Sequence, residues 1–183
     1  MVARIEKDAI VLQLTRRDGD DRVEGLVVRL LFEEALETVA LEGEGRQPGI
    51  YNFFLGNDPA KWRTEVPGYT SVLYRGLQEG VDLRVREGEG RLEYDLILAP
   101  GAELGRVVVR CEGTEGIEVE PDGSLAMKTA LGPIRQGPPV TWQELAGGER
   151  MPIQGWFRTL GSDRFGFEVP ARDPSLALVI DPG

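Results

Sequence analysis

The chain has 183 residues, 41% of them hydrophobic, enough to bury a core and too apolar for a disordered segment. A formal net charge of −10 and a pI near 4.7 repel polyphosphates, so nucleic acid is not an expected partner. With no histidine and one cysteine, the sequence excludes Ser-His-Asp and Cys-His catalysis, a His-ligated zinc or iron site, and an internal disulfide.

Twenty-four glycines and twelve prolines predict frequent turns and few helices. No apolar run approaches the ~20 residues of a membrane span. The opening Met1–Glu6 stretch lacks the charged-then-apolar plan of a signal peptide.

In chain order, Ala9 to Thr15 reads as a first strand, followed by a polar turn at Arg16–Asp21 around Gly19. Leu26 to Phe32 is a continuous apolar run, the pattern of a strand buried on both faces. Phe32 to Leu41 is the one segment that fits a helix, and it fits a strand almost as well. Glu42-Gly43-Glu44-Gly45 reads as a flexible loop. The aromatic stretch Gly49–Leu55 reads as core packing by the usual burial of Phe and Tyr, with a carbohydrate platform as the alternative, and Asn57-Asp58-Pro59 closes it with turn chemistry.

The clearest element is the hairpin that follows. Val81 to Arg86 alternates apolar and polar residues, and Arg91 to Leu98 puts Leu92, Tyr94, Leu96 and Leu98 on one face. Glu87-Gly88-Glu89-Gly90 turns the chain between them, since glycine supplies the positive φ of a tight reversal.

Short strands are then expected at Val107–Cys111, Ile117–Glu120 and Ser124–Lys128, with Pro121-Asp122-Gly123 as a hairpin turn. The prolines at 133, 138 and 139 place any strand there at an edge or interrupt it. Ile153–Thr159 and Phe165–Val169 form a second hairpin, and Leu176–Ile180 closes the chain. About a dozen short strands at such spacing predict an all-β domain, an antiparallel sandwich or two abutting lobes with a soft boundary near residues 100–105.

An ordered series of motifs narrows this reading: G-N-D-P-A-K-W from Gly56, V-P-G-Y-T-S-V-L-Y from Val66, G-V-D-L from Gly80, L-E-Y-D-L-I-L-A-P-G-A from Leu92, L-G-P-I-R-Q-G-P-P from Leu131, and L-V-I-D-P before the last glycine. From about Ile50 to Pro182 the chain resembles the uncharacterised N-terminal β domain of large bacterial surface or secreted proteins. In those, the domain precedes β-propeller repeats of the SBBP type and immunoglobulin-like modules. The resemblance implies an extracellular or cell-surface location, a longer parent polypeptide, and the β-repeat domains of that polypeptide as partners. It implies no catalytic activity and names no catalytic residue.

Among individual residues, Asp82, Glu93 and Asp95 share the polar face of the central hairpin, where three carboxylates would suit calcium. The plainer role for them is pairing with Arg84, Arg86 and Arg91 or capping loop amides. Trp62, between Lys61 and Arg63, reads as exposed, and with Tyr69 or Tyr74 it offers a platform for a glycan or protein partner. Trp156, beside Phe157, reads as core, and Trp142 fits either environment. A glycoside hydrolase needs two acids across a sugar cleft. Thirty-one acidic residues make such pairs uninformative, and hydrolysis ranks below binding. Cys111, behind Val107–Val109, reads as a buried, inert thiol. The expected function is a non-enzymatic structural or interaction module, with a calcium- or carbohydrate-binding module as the alternative.

Overall fold

The structure is a computed structural model and describes residues 2–18, 22–88 and 90–182. In chain order its strands are β1 (Val2–Ile5), β2 (Ala9–Asp18), β3 (Arg22–Phe32), β4 (Ala40–Phe53) and β5 (Arg63–Gln78). Then come β6 (Val81–Gly88), β7 (Arg91–Leu98), β8 (Val109–Glu112), β9 (Gly116–Val119), β10 (Leu125–Lys128) and β11 (Ile134–Gln136). The last are β12 (Val140–Glu144), β13 (Arg150–Ile153), β14 (Trp156–Thr159), β15 (Arg164–Glu168) and β16 (Ala177–Asp181).

They form three sheets, with every pairing antiparallel. One has the order β1-β2-β3-β8-β15-β14, the second β13-β12-β16-β7-β6-β5-β4, and a small third sheet runs β11-β10-β9. The two large sheets face each other across one core. Ile10, Leu30, Val109 and Phe165 of the first meet Tyr74, Leu83, Leu96 and Ile180 of the second, all at most 2% exposed. Each such side chain stabilises the fold by about 1.5–3 kcal/mol on burial.

The central hairpin shows how alternation builds this layer. Val81, Leu83 and Val85 stand opposite Leu98, Leu96 and Tyr94 in register, so six inward side chains form three cross-strand pairs. Tyr74 ties the layers together, its hydroxyl donating to the Glu6 carbonyl at 2.7 Å and to the Ala9 carbonyl at 3.1 Å. Phe157, Phe165 and Phe167 pack edge-on and tilted at 5.4–5.8 Å and fill one end of the core. Cys111 is buried there as expected, its Sγ 3.8 Å from Met127 Sδ, and burial pushes the thiol up to about 12.

Several expectations need correction. Phe32–Leu41 is not a helix: β3 ends at Phe32, Glu34 takes a left-handed φ of 55°, and turns lead to Ala40. Glu42–Gly45 is not a loop but the start of β4, fourteen residues long. Leu26–Phe32 is buried on one face only, since Val28, Leu30 and Phe32 point inward while Val27 is exposed. Ile153 belongs to β13, so the later hairpin begins at Trp156. In the central hairpin the strand runs on to Gly88, which pairs with Arg91 and shortens the reversal. Pro121–Gly123 does turn the chain, with Gly123 at φ 88° and Asp122 accepting from the Ser124 amide at 3.0 Å. Gly19–Asp21 and Glu89, both expected in turns, lie outside the described residues. The 100–105 stretch carries the chain from β7 in one large sheet to β8 in the other, and residues on both sides of it join the same core.

Candidate functional site

Two surfaces carry the residues that the sequence singles out. The first is the outer face of the seven-stranded sheet. Asp82, Arg84 and Arg86 alternate outward on β6, and the register sets Arg84 opposite Asp95 and Arg86 opposite Glu93. Arg86 bridges Glu93, Asp95 at 3.2 Å and Asp181 at 3.0 Å. Asp82 turns the other way, accepting from the Gly76 amide at 2.6 Å and from Arg75 at 3.3 Å.

The three proposed calcium ligands therefore do not converge. Glu93 and Asp95 meet on a guanidinium, Asp82 meets a different one, and no group of three His, Cys, Asp or Glu among the described residues is arranged to hold a metal ion. Next to them, Arg84 donates to Glu44 at 2.8 Å, and that hydrogen bond holds the Glu44 carboxyl below its ordinary 4.5. A shallow hollow of about 710 Å³ borders this network, lined by Arg84, Arg86, Trp142 and Arg150 among others. Its Trp142 ring is covered by Arg150, with the guanidinium carbon 4.5 Å from the ring centre, a cation–π contact.

The second surface is a projecting ribbon. Strand β6 pairs with β5 only from Ser71 onward, so among the described residues Arg63–Thr70 pairs with β4 alone. That leaves a two-stranded ribbon extending about 26 Å past the sandwich, at about 3.3 Å per residue. No residue from 40 to 70 is buried. The ribbon carries Ile50, Tyr51, Phe53, Phe54 (61% exposed), Leu55 (67%), Trp62 (37%) and Tyr69. An exposed apolar patch of this extent is uncommon on a soluble monomer and marks an interaction surface.

Local contacts hold the ribbon in shape. The Tyr69 ring lies over Gly43 and the Tyr51 ring over Gly68, and a Cβ on either glycine would sit 2.5–2.9 Å from ring carbons. Aromatic rings laid across strand glycines replace the missing side-chain packing. Phe54 and Trp62 stack edge-to-face at 5.1 Å, and Trp62 Nε1 donates to the Gly56 carbonyl at 3.2 Å. Asp58 accepts from the Ala60 amide at 3.1 Å and opens the short 3-10 turn Pro59–Lys61 at the far end. Asn52 Oδ1 accepts from Glu65, which sits in the left-handed region at φ 58°.

The proposed platform residues thus separate. Trp62 is exposed at the ribbon's end, as expected, and Tyr69 lies along it. Tyr74 is fully buried between the sheets and cannot touch a ligand. The Gly49–Leu55 aromatics are exposed, which overturns the expectation of core packing. Trp156 is also exposed, its Nε1 donating to Glu168, while its neighbour Phe157 takes the inward position. Sequence reasoning missed Tyr51, Phe53 and Phe54 as surface residues. The available signal was Gly43, Gly45 and Gly49, because a strand with glycine at so many positions offers too few side chains to build a core face.

The family model described as Domain of unknown function (DUF7948) matches residues 4–183. The chain belongs to that family. The match takes in the sandwich and the ribbon together. No curated protein and no solved structure matches the chain.

Proposed function

We propose that this DUF7948 domain is a non-enzymatic interaction module of a cell-surface or secreted bacterial repeat protein. In this reading the sandwich is a scaffold, and the ribbon contacts β-repeat domains of the same polypeptide, positioning or capping them. The observation that carries the reading is the ribbon: a preorganised two-stranded arm with seven exposed large hydrophobic side chains and no buried residue. Such a ribbon is marginally stable by itself in water and gains from being covered. A terminal β-repeat likewise exposes an edge and an apolar face that a neighbour can cover.

The test replaces residues 47–67 by a short turn in the full-length polypeptide. The adjoining repeats are expected to unfold at a lower temperature, while the sandwich keeps its own midpoint. Repeats that melt unchanged without the ribbon would sink the proposal.

A second reading, a carbohydrate-binding module, draws on the Phe54–Trp62 pair, since exposed aromatic faces stack on sugar rings. A glycan array that stays blank for the wild-type chain removes it.

A further inference from the structure

At the end of β5 away from the ribbon, the turn into β6 and the loop after β7 line an open cavity of about 340 Å³. Its walls are tied together. The Ala99 amide donates to the Gly80 carbonyl at 2.8 Å. Gly80, at φ 71°, lets the turn close on the loop, for a Cβ there would lie 3.0 Å from Ala102 Cβ.

Gln78, 4% exposed, lines this cavity. Its Nε2 donates to the Glu33 carbonyl at 2.6 Å and to the Arg106 carbonyl at 3.2 Å. Both amide hydrogens are thereby used, while Oε1 is buried with no hydrogen-bond partner among the described residues. An unpaired acceptor away from water is costly, so such an atom calls for a donor.

Two carboxylates border the same cavity, Glu79 and Glu103, and neither has an ion-pair or hydrogen-bond partner among the described residues. Glu103 stands at the N-cap of the 3-10 turn Leu104–Arg106, yet its side chain does not cap it. The cation beside them, Arg106, is taken by Glu34, to which two of its nitrogens donate at 3.2 and 3.0 Å. Glu34 is the main cause of the raised Arg106 pKa, and Glu103 and Glu79 add smaller contributions through space. Three carboxylates against one guanidinium leave the cavity anionic.

We propose that this cavity binds a primary ammonium group. An ammonium carries three N–H donors and no acceptor, and the cavity offers three acceptors that lack donors: Gln78 Oε1, Glu79 and Glu103. A metal ion fits less well, since no three carboxylates among the described residues are arranged to hold one. A free alkylamine and a lysine side chain both present this group.

Titration of the isotope-labelled chain with n-butylamine hydrochloride near neutral pH, followed by NMR, tests the proposal. The Gln78 side-chain amide is the reporter, because its oxygen is the acceptor in question. Saturable shifts of that resonance and of the Glu79, Gly80 and Glu103 backbone amides are expected, with a Kd of about 1 mM or tighter. Tetramethylammonium, equal in charge but without N–H, is expected to bind at least about tenfold more weakly. E79Q/E103Q should weaken butylamine by about tenfold or more, whereas E87Q/E149Q, the same charge change away from the cavity, should leave it unaltered. Unchanged thermal midpoints show that both variants fold. Nα-acetyl-lysine methylamide binding as tightly as butylamine assigns the group to a protein lysine; binding by butylamine alone assigns it to a free amine.

Equal binding of tetramethylammonium, or unchanged affinity in E79Q/E103Q, overturns the proposal. So does a Gln78 amide that never moves, as when a water satisfies its oxygen, or calcium producing the shifts where the amine does not. None of these outcomes involves the ribbon, so the interaction reading stands or falls separately.

Discussion

Strand β5 passes through two environments within sixteen residues. In its second half, Leu73 and Tyr74 are at most 3% exposed and flanked by β4 and β6, and Leu77, past the last β4 pair, is 1% exposed. In its first half, Arg63–Thr70 pairs with one strand among the described residues and has no buried residue and an exposed Tyr69. Pairing with β4 runs through both, interrupted by register shifts in the first half, and only the second half adds a ladder to β6 and a facing sheet over its side chains. The sandwich gains its stability from burial, while the ribbon keeps its shape through rings on glycines and a few capping hydrogen bonds.

The sharpest way to break that contrast is a pair of phenylalanine truncations. Phe165→Ala removes a fully buried ring from the Phe157–Phe165–Phe167 cluster and is expected to cost about 3–5 kcal/mol in urea unfolding. Phe54→Ala on the ribbon is expected to cost less than about 0.5 kcal/mol. Equal losses at the two sites would mean that the ribbon and sandwich unfold as one unit supported by burial.

Glycines sharpen it further. Gly113 sits at φ 82°, and a Cβ there would lie 2.2 Å from the Val27 carbonyl oxygen, a backbone atom that cannot swing away. Gly113→Ala is expected to cost about 2 kcal/mol of global stability. Gly43→Ala displaces the Tyr69 ring, so it is expected to speed amide exchange in the ribbon while leaving the sandwich midpoint unmoved. Exchange that stays slow in this variant would show that the ring does not hold the ribbon.

A smaller effect is expected for Tyr74→Phe, which deletes the hydroxyl that joins the two layers at Glu6 and Ala9. The loss should be about 1 kcal/mol, read from the denaturation midpoint.

Changes of pH test the same burial without a substitution. Cys111 has an ordinary value of 9.0, raised to about 12 by burial. Its contribution is fully present below pH 9 and is lost as pH rises from 9 toward 12, where the unfolded thiol ionises and the folded one does not. Cys111→Ala should therefore flatten the fall in stability over that window. In the wild type, a thiol reagent at pH 9 should react at the rate of unfolding. On the acid side the sign reverses for Glu44: Arg84 lowers its value, so its contribution is present above 4.5 and is lost as pH falls through the lowered value. Glu44→Gln should remove that part of the acid limb.

The smallest predicted effect is none. Because Glu93 and Asp95 already meet Arg86 while Asp82 meets Arg75, the thermal midpoint should be the same in millimolar calcium and in EDTA. A bound ion at ~100 times its dissociation constant would add about 2.7 kcal/mol and shift it visibly.

The central hairpin was legible because every constraint on it is local. Val81–Arg86 and Arg91–Leu98 alternate, one face is buried, and direct cross-strand pairs follow from the turn. The arginine pairing of Glu93 and Asp95 follows from the same alternation, which places Arg84 and Arg86 opposite them. Cys111 and the Pro121–Gly123 turn were legible for similar reasons. The surface position of Tyr51, Phe53 and Phe54 was not, because hydrophobicity says that a ring gains from leaving water without saying whether anything stands near enough to cover it.

By itself, then, the sequence determined an all-β chain, its strand-and-turn grammar, the inward residues of its regular hairpins, and the absence of histidine chemistry. Tertiary structure alone decided which strands share a sheet and which apolar residues find a facing layer. The same run of Ile, Tyr and Phe would be core beneath a second sheet. Here β4 lies at a sheet's edge and outruns β6, so those side chains have no facing layer within the sandwich. Burial is a property of distant segments meeting in space, and no local pattern in residues 49–55 encodes that meeting.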